Sequence, residues 1–251
     1  MTASSSVIRS LHLAEQAAAS LQIARLSKRY GEQRALLDVS FDVRAREVLG
    51  LIGPNGAGKT TLLETIAGIV PADAGDVLWH GAPLAHAHRR DAIFYLPDGL
   101  RPWDDQFVVR IVEFFAAVYG HGQSRVAETV HAVGLLPVLS KRISALSKGY
   151  GRRLMLALAL LTPQPVLLMD EPFDGFDLRQ TREIMGVLRD VASGGRSLVL
   201  AIHQLSDAER VCDRFVLLAD GQVCGIGTLN ELRARTGKAS ARLEDVFLAL
   251  T

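Results

Sequence analysis

Cysteine is scarce in this chain: Cys212 and Cys224 are the only two in 251 residues. Two cysteines build no disulfide framework, and neither stands at a zinc-ligand spacing. Both read as packing residues of a protein kept in a reducing compartment. Long apolar runs are missing as well. No stretch reaches the roughly 18 apolar residues that a membrane-spanning helix needs, and the longest greasy segment, Leu154 to Leu161, has the size of a core helix. The start of the chain has no basic segment followed by an unbroken apolar block, so a cleaved signal is not expected. Residues 1–20 read instead as a flexible, partly helical N-terminal extension. An excess of charge is also lacking, since 28 Lys and Arg stand against 27 Asp and Glu. The basic residues are scattered rather than gathered into a stripe, so no nucleic-acid partner is expected. Internal repeats and low-complexity tracts do not occur.

What the chain does have is apolar mass, 49% of its residues, enough for one large domain or two small ones. Residues 21–30 and 36–43 alternate apolar and polar, which predicts antiparallel strands with one wet face. Residues 48–52 (VLGLI) are uniformly apolar and short, as in a strand buried on both faces. A glycine-rich loop and a helical pattern follow, then short strands at 76–79 and 93–96. Between about 105 and 160 three helix-period stretches replace the strand signals. Apolar strands return at 166–170, 197–203 and 215–221, with a helical segment between the first two. Strands alternating with helices predict an α/β fold whose sheet is mostly parallel and covered on both faces.

Two motifs carry chemistry. Gly53-Pro54-Asn55-Gly56-Ala57-Gly58-Lys59-Thr60 fits the P-loop pattern and lies between a buried strand and a helix, the context the pattern requires. Its glycines let successive N–H groups turn toward phosphate oxygens, and the helix that follows adds its positive end. Lys59 is placed to reach the β- and γ-phosphates and the Thr60 hydroxyl to hold magnesium; Thr61 continues the phosphate-binding turn. Val166 to Glu171 is an apolar strand that ends in two carboxylates. Alone this is an ordinary strand end. Downstream of a P-loop, Asp170 becomes a metal anchor and Glu171 a general base for the attacking water.

With these motifs in place the chain resembles the ATP-binding-cassette ATPases, from about Leu21 to Thr251. Leu146-Ser147-Lys148-Gly149-Tyr150 stands where that family has Leu-Ser-Gly-Gly-Gln. Taken by itself it reads as a Ser-capped helix start. The resemblance implies that Ser147 and Gly149 cradle the γ-phosphate of ATP held by an opposite subunit. It implies further that Tyr30 stacks on adenine, that His203 touches the γ-phosphate, and that Asp177 belongs to the loop coupling two sites across a dimer. Three departures stand out. Lys148 and Tyr150 alter the signature, Asp174-Gly175-Phe176-Asp177 replaces the usual Ser-Ala or Ser-Gly before Leu-Asp, and Asp98 in Tyr95-Leu96-Pro97-Asp98 takes the place of a metal-contacting Gln. Pro97-Asp98-Gly99 also reads simply as a turn.

The implied architecture is a P-loop NTPase core with a mostly parallel sheet, an antiparallel β subdomain and a helical subdomain over about residues 100–160, together spanning 21–251. The implied function is ATP and Mg2+ binding and ATP hydrolysis by a subunit that dimerises with a second copy or a similar cassette. Such a subunit drives a separate integral membrane permease from the cytoplasmic face. Leu-Pro followed by an acidic residue, the LSKGY signature and the ending Leu243 to Leu248 resemble the branch that exports drugs, lipids and polysaccharides. A ribosome-associated cassette is the competing reading, and it normally carries two cassettes in one chain. A chromosome or repair ATPase would need a long coiled coil between Thr60 and Leu146, where no heptads occur. A cassette that binds ATP without hydrolysing it is the remaining alternative, opposed by Lys59, Asp170, Glu171 and His203.

Overall fold

The computed structural model describes residues 19–251. Most of the expected N-terminal extension therefore falls outside the described residues. Its end does not: strand β1 (Ala19–Tyr30) starts inside it, where Ala19 pairs with Arg44 and the buried Ser20 hydroxyl donates to the Val43 carbonyl at 3.2 Å.

β1 pairs antiparallel with β2 (Gln33–Arg44) on one side and β4 (Ala74–Trp79) on the other, and β5 (Ala82–Pro83) completes a four-stranded sheet in the order β2-β1-β4-β5. Alternation gives this sheet its inner face: Leu21, Ile23 and Leu26 from β1 and Val39, Phe41 and Val43 from β2 are buried. The central sheet has six strands in the order β10-β9-β3-β8-β7-β6. β3 (Val48–Ile52), β6 (Ile93–Leu96), β7 (Val166–Asp170), β8 (Ser197–Ala201) and β9 (Arg214–Ala219) run parallel, and β10 (Gln222–Gly227) closes the edge antiparallel to β9.

The uniformly apolar strands follow from two covered faces. In β3, Leu49 and Leu51 enter the core shared with the antiparallel sheet and helix α1 (Lys59–Ala67), whereas Val48 and Ile52 enter the core on the helical side. β7 divides likewise, with Val166 and Leu168 on one face and Leu167 and Met169 on the other. Each such side chain removed from water stabilises the fold by about 1.5–3 kcal/mol. Arg214 joins the two sheets: its buried guanidinium holds Asp42 through two 3.1 Å contacts and Glu47 at 3.2 Å.

The stretch between β6 and β7 is helical, as its period predicts: α2 (Val108–Val118), α3 (Gln123–Ala132) and α4 (Lys148–Leu160). α5 (Leu178–Ser193) connects β7 to β8 and buries Ile184, Met185, Leu188 and Ala192 along one side. α6 (Leu205–Val211), α7 (Leu229–Thr236) and α8 (Leu243–Leu250) complete the described residues.

Two strands end earlier than the sequence reading expects. The strand expected over 215–221 ends at Ala219, because Asp220 and Gly221, at φ 48° and 72°, form a two-residue turn into β10. The strand expected over 197–203 ends at Ala201, so Ile202 and His203 form its exit.

Candidate nucleotide site

The site lies beyond the C-terminal ends of β3, β6, β7 and β8, where parallel α/β sheets place their ligand crevices. At the end of β3 the loop must pass close to the end of β9. A Cβ on Gly53 would meet the Leu218 carbonyl oxygen at 2.3 Å, so no larger residue fits. Gly58 opens α1 at φ 100°, in the left-handed region, and a Cβ there would also strike the Ala35 carbonyl at 2.6 Å. No side chain caps α1 and no acidic residue stands in its first turn. Its N-terminal N–H groups are therefore directed at the loop's interior without a side-chain acceptor, the arrangement that binds a phosphate.

Lys59 is nearly buried, and its ammonium donates to the carbonyls of Gly53 at 2.7 Å and Pro54 at 3.1 Å. Burial holds it below the ordinary lysine value, against the pull of the Glu171 and Asp170 charges. The Thr60 hydroxyl donates to Asp170 Oδ2 at 2.7 Å. Burial raises the Asp170 carboxyl above its usual range, and the Thr60 hydrogen bond opposes that rise. Beside it the Tyr95 hydroxyl is buried, and burial together with the Asp170 charge pushes it above the ordinary tyrosine value.

Glu171 sits at φ 48°, a conformation that L-residues other than glycine seldom adopt. Its surroundings hold it there. The N–H donates to the Ala201 carbonyl at 3.0 Å, and the carbonyl accepts from the Asp174 N–H at 3.1 Å and from Arg152 Nη2 at 2.7 Å. Oε2 accepts from the His203 N–H at 3.1 Å. Burial raises this carboxyl too, against the His203 hydrogen bond and the Lys59 charge.

One cavity of about 400 Å³ brings together Tyr30, Asn55, Gly56, Gly58, Lys59, Thr60, Thr61, Asp98, Asp170 and Glu171. A second, of about 470 Å³, holds His203 together with Phe173, Gly175 and Phe176, and the two share Asn55 and Glu171 as a common wall. Ala57 is buried under the loop and, like Gly53, shapes it rather than lining the cavity. Tyr30 is half exposed at the mouth, with the Lys28 ammonium 5.5 Å from its ring centre.

Ser147, Gly149 and Asp177 line neither cavity. Ser147 caps α4, accepting from the Tyr150 N–H at 3.4 Å, and Asp177 caps α5, accepting from the Gln180 N–H at 2.8 Å. Asp98 lines the nucleotide cavity but is also paired with Arg152. Sequence reasoning passed over Arg152, Tyr95 and Arg34, which also lines the cavity. Arg152 was visible only as the first of two arginines after the signature, and Arg34 only as a polar residue of the β1–β2 hairpin.

Comparison with known proteins agrees with this geometry. A family model described as ABC transporter matches residues 36–174. The chain belongs to the ABC transporter family. It is an ATP-binding and ATP-hydrolysing subunit of that family. Among its relatives is the ABC-type transporter ATP-binding protein EcsA of Bacillus subtilis, 30% identical over 92% of this cassette and 96% of the relative. The Nod factor export ATP-binding protein I of Ralstonia nicotianae is 34% identical over 84% of the cassette and 68% of its own length. A solved structure of an ATP-binding subunit of an ABC transporter superposes with a TM-score of 0.83 at 30% identity, covering 92% of the cassette and 98% of that chain.

Proposed function

We propose that this cassette powers export through a separate membrane permease, working from the cytoplasmic face as one of two cassettes that close around two Mg–ATP. The observation that carries this reading is the one-sidedness of the site. The P-loop cavity contains a phosphate cradle, a metal-type oxygen pair and a base. The signature residues Ser147 and Gly149 stand apart from it, so a second cassette must present its own signature to complete the site.

In this reading Gly53, Asn55, Gly56, Ala57, Gly58 and Thr61 form the phosphate loop, Lys59 neutralises β- and γ-phosphate charge, and Tyr30 stacks on adenine. Glu171 accepts a proton from the attacking water, and His203, across the common wall, faces the γ-phosphate. Asp177 acts in the loop between the paired sites. The donor set suits magnesium. Thr60, Asp170 and Asp98 offer oxygen alone, and among the described residues no group of three His, Cys, Asp or Glu forms a dedicated metal cage. That agrees with a cation held by one or two carboxylates, the Thr60 hydroxyl and the nucleotide's phosphates. When bound, the ion would neutralise phosphate charge.

A membrane partner is supported by the surface after Asp98. Leu100, Trp103, Phe107 and Phe114, which follow Asp98 along the chain, are all exposed large apolar side chains. Among the described residues no helix is long and apolar enough to cross a membrane, so a separate permease would supply the span. The Nod factor export relative and the exporter-type motifs favour export.

The test is an ATP-dependent cross-link. Asn55→Cys on one copy and Ser147→Cys on another should form an intermolecular disulfide with Mg–ATP and not without it, in a Glu171→Gln background that slows turnover. Absence of the cross-link, or its formation regardless of ATP, would reject the paired site.

A further inference from the structure

We propose that Arg152 is a positioning residue for Glu171, tying the orientation of the base to the position of helix α4. This rests on the reading of Glu171 as the base. The Arg152 side chain is 7% exposed, and a guanidinium so far from water needs acceptors. Its Nη2 has two: the Asp98 carboxylate and the Glu171 carbonyl, the latter at 2.7 Å. One cation thus spans three segments, the exit of β6, the end of β7 and the helix after the signature.

The Glu171 peptide needs such a hold. Its positive φ persists only while neighbours over-determine it. The other bonds come from its own loop, at Asp174, and from the strand exit beside it, at Ala201 and His203. Arg152 alone of these brings in the helical part of the cassette. A second contact shows the same design. Lys148, one helical turn before Arg152 and on the same side of α4, pairs with Asp174 at 2.7 Å. Its stem lies over Gly175, where a Cβ would fall 2.8 Å from Lys148 Cγ. Two cations at i and i+4 therefore grip both ends of the 171–174 turn. Asp98, Lys148 and Asp174, three places where the chain departs from its family's pattern, are the charges that complete these two pairs.

The experiment uses the full chain with Arg152→Ala and Arg152→Lys. ATP turnover is measured against ATP concentration, and amide exchange is followed in nucleotide-free protein. Arg152→Ala should lower kcat about 10- to 100-fold while KM for ATP stays within about threefold. Exchange should quicken at least tenfold over residues 171–175 and stay unchanged over 53–60. Arg152→Lys, which keeps the charge but not the fork, should fall between, and it carries the same test if the alanine variant does not fold. A kcat within twofold of wild type with unchanged local exchange would overturn the proposal. So would a loss accompanied by faster exchange throughout the chain, the mark of a merely structural arginine. Glu171→Gln run alongside separates the two readings. If it hydrolyses like wild type, Glu171 is not the base. If it is inactive while Arg152→Ala is normal, the base stands and the tether falls.

Discussion

Thr60 and Asp170 lie 110 positions apart in the chain, and the hydroxyl of the first donates to the carboxylate of the second at 2.7 Å. The first residues of α1 and the last of β7 are thereby set against each other by protein contacts alone. Their placement follows from β3 and β7 flanking β8 in one parallel sheet, so both strand ends reach the same edge.

Thr60→Val tests that pair. The valine keeps the branched shape and removes a donor to a buried carboxylate and an oxygen for the metal. Half-maximal ATPase activity should need at least about tenfold more magnesium. Losing one hydrogen bond to a charged group costs about 1.5–3 kcal/mol. Magnesium titration at saturating ATP reads this directly, and an unchanged midpoint would remove Thr60 from the metal site.

Lys59→Ala should weaken ATP binding by about 10- to 150-fold, the equivalent of about 1.5–3 kcal/mol for a charge-assisted hydrogen bond. Folding should be little affected, because burial already disfavours this ammonium in the nucleotide-free protein. Calorimetric titration with ATP and a melting curve separate the two. A variant that binds as wild type refutes the phosphate role, and one that melts far lower would make Lys59 a structural residue.

Much of the fold could be read along the chain because both faces of the central sheet are covered. VLGLI, VLLMD and SLVLA are buried at every position, and such runs have no other common explanation in a chain of alternating strands and helices. β10 escaped notice because two glycines break the apolar pattern of Gln222–Gly227 around Val223 and Ile226. The signal that reveals it is Asp220-Gly221, a two-residue hairpin turn, mistaken for the end of the preceding strand. In the site, local motifs gave Lys59, Thr60, Asp170 and Glu171 as candidates, since each owes its place to one strand–loop junction. Arg152 was not legible. Its partners, Asp98 and Glu171, lie 54 and 19 residues away, and only the packing of α4 against two strand ends brings them together.

The Lys148–Asp174 pair has a pH signature. The Lys148 hydrogen bond holds the Asp174 carboxyl below its ordinary 3.8. A depressed carboxylate binds fewer protons folded than unfolded, so its contribution is complete above 3.8 and is lost as pH falls through the lower folded value. Both side chains are about half exposed, which limits the pair to about 0.2–1 kcal/mol. Lys148→Met should therefore melt about 1–3 °C below wild type at pH 6, with the gap closing toward pH 3. A gap that stays constant with pH would mean that Lys148 acts through packing over Gly175 instead.

Glu171→Gln removes the proposed proton acceptor with little change of shape. The amide oxygen can still accept from the His203 N–H, so the strained peptide should hold its place. ATP should then bind with near wild-type affinity, while turnover falls by at least about 100-fold, the lower end of what a general base contributes. Trapped ATP should also change the assembly state. Ser147 and Gly149 lie outside the P-loop cavity of their own chain, so in the proposed arrangement bound ATP would gain its remaining contacts from a second cassette, and binding would be linked to pairing. Light scattering on eluted protein should show monomer without nucleotide and dimer with Mg–ATP. Adding Ser147→Arg, which places bulk and charge at the cap of α4, should return the protein to monomer without weakening ATP binding to single chains by more than about threefold. A dimer that survives Ser147→Arg would move the interface away from the signature. Normal turnover in Glu171→Gln would remove Glu171 from the chemistry.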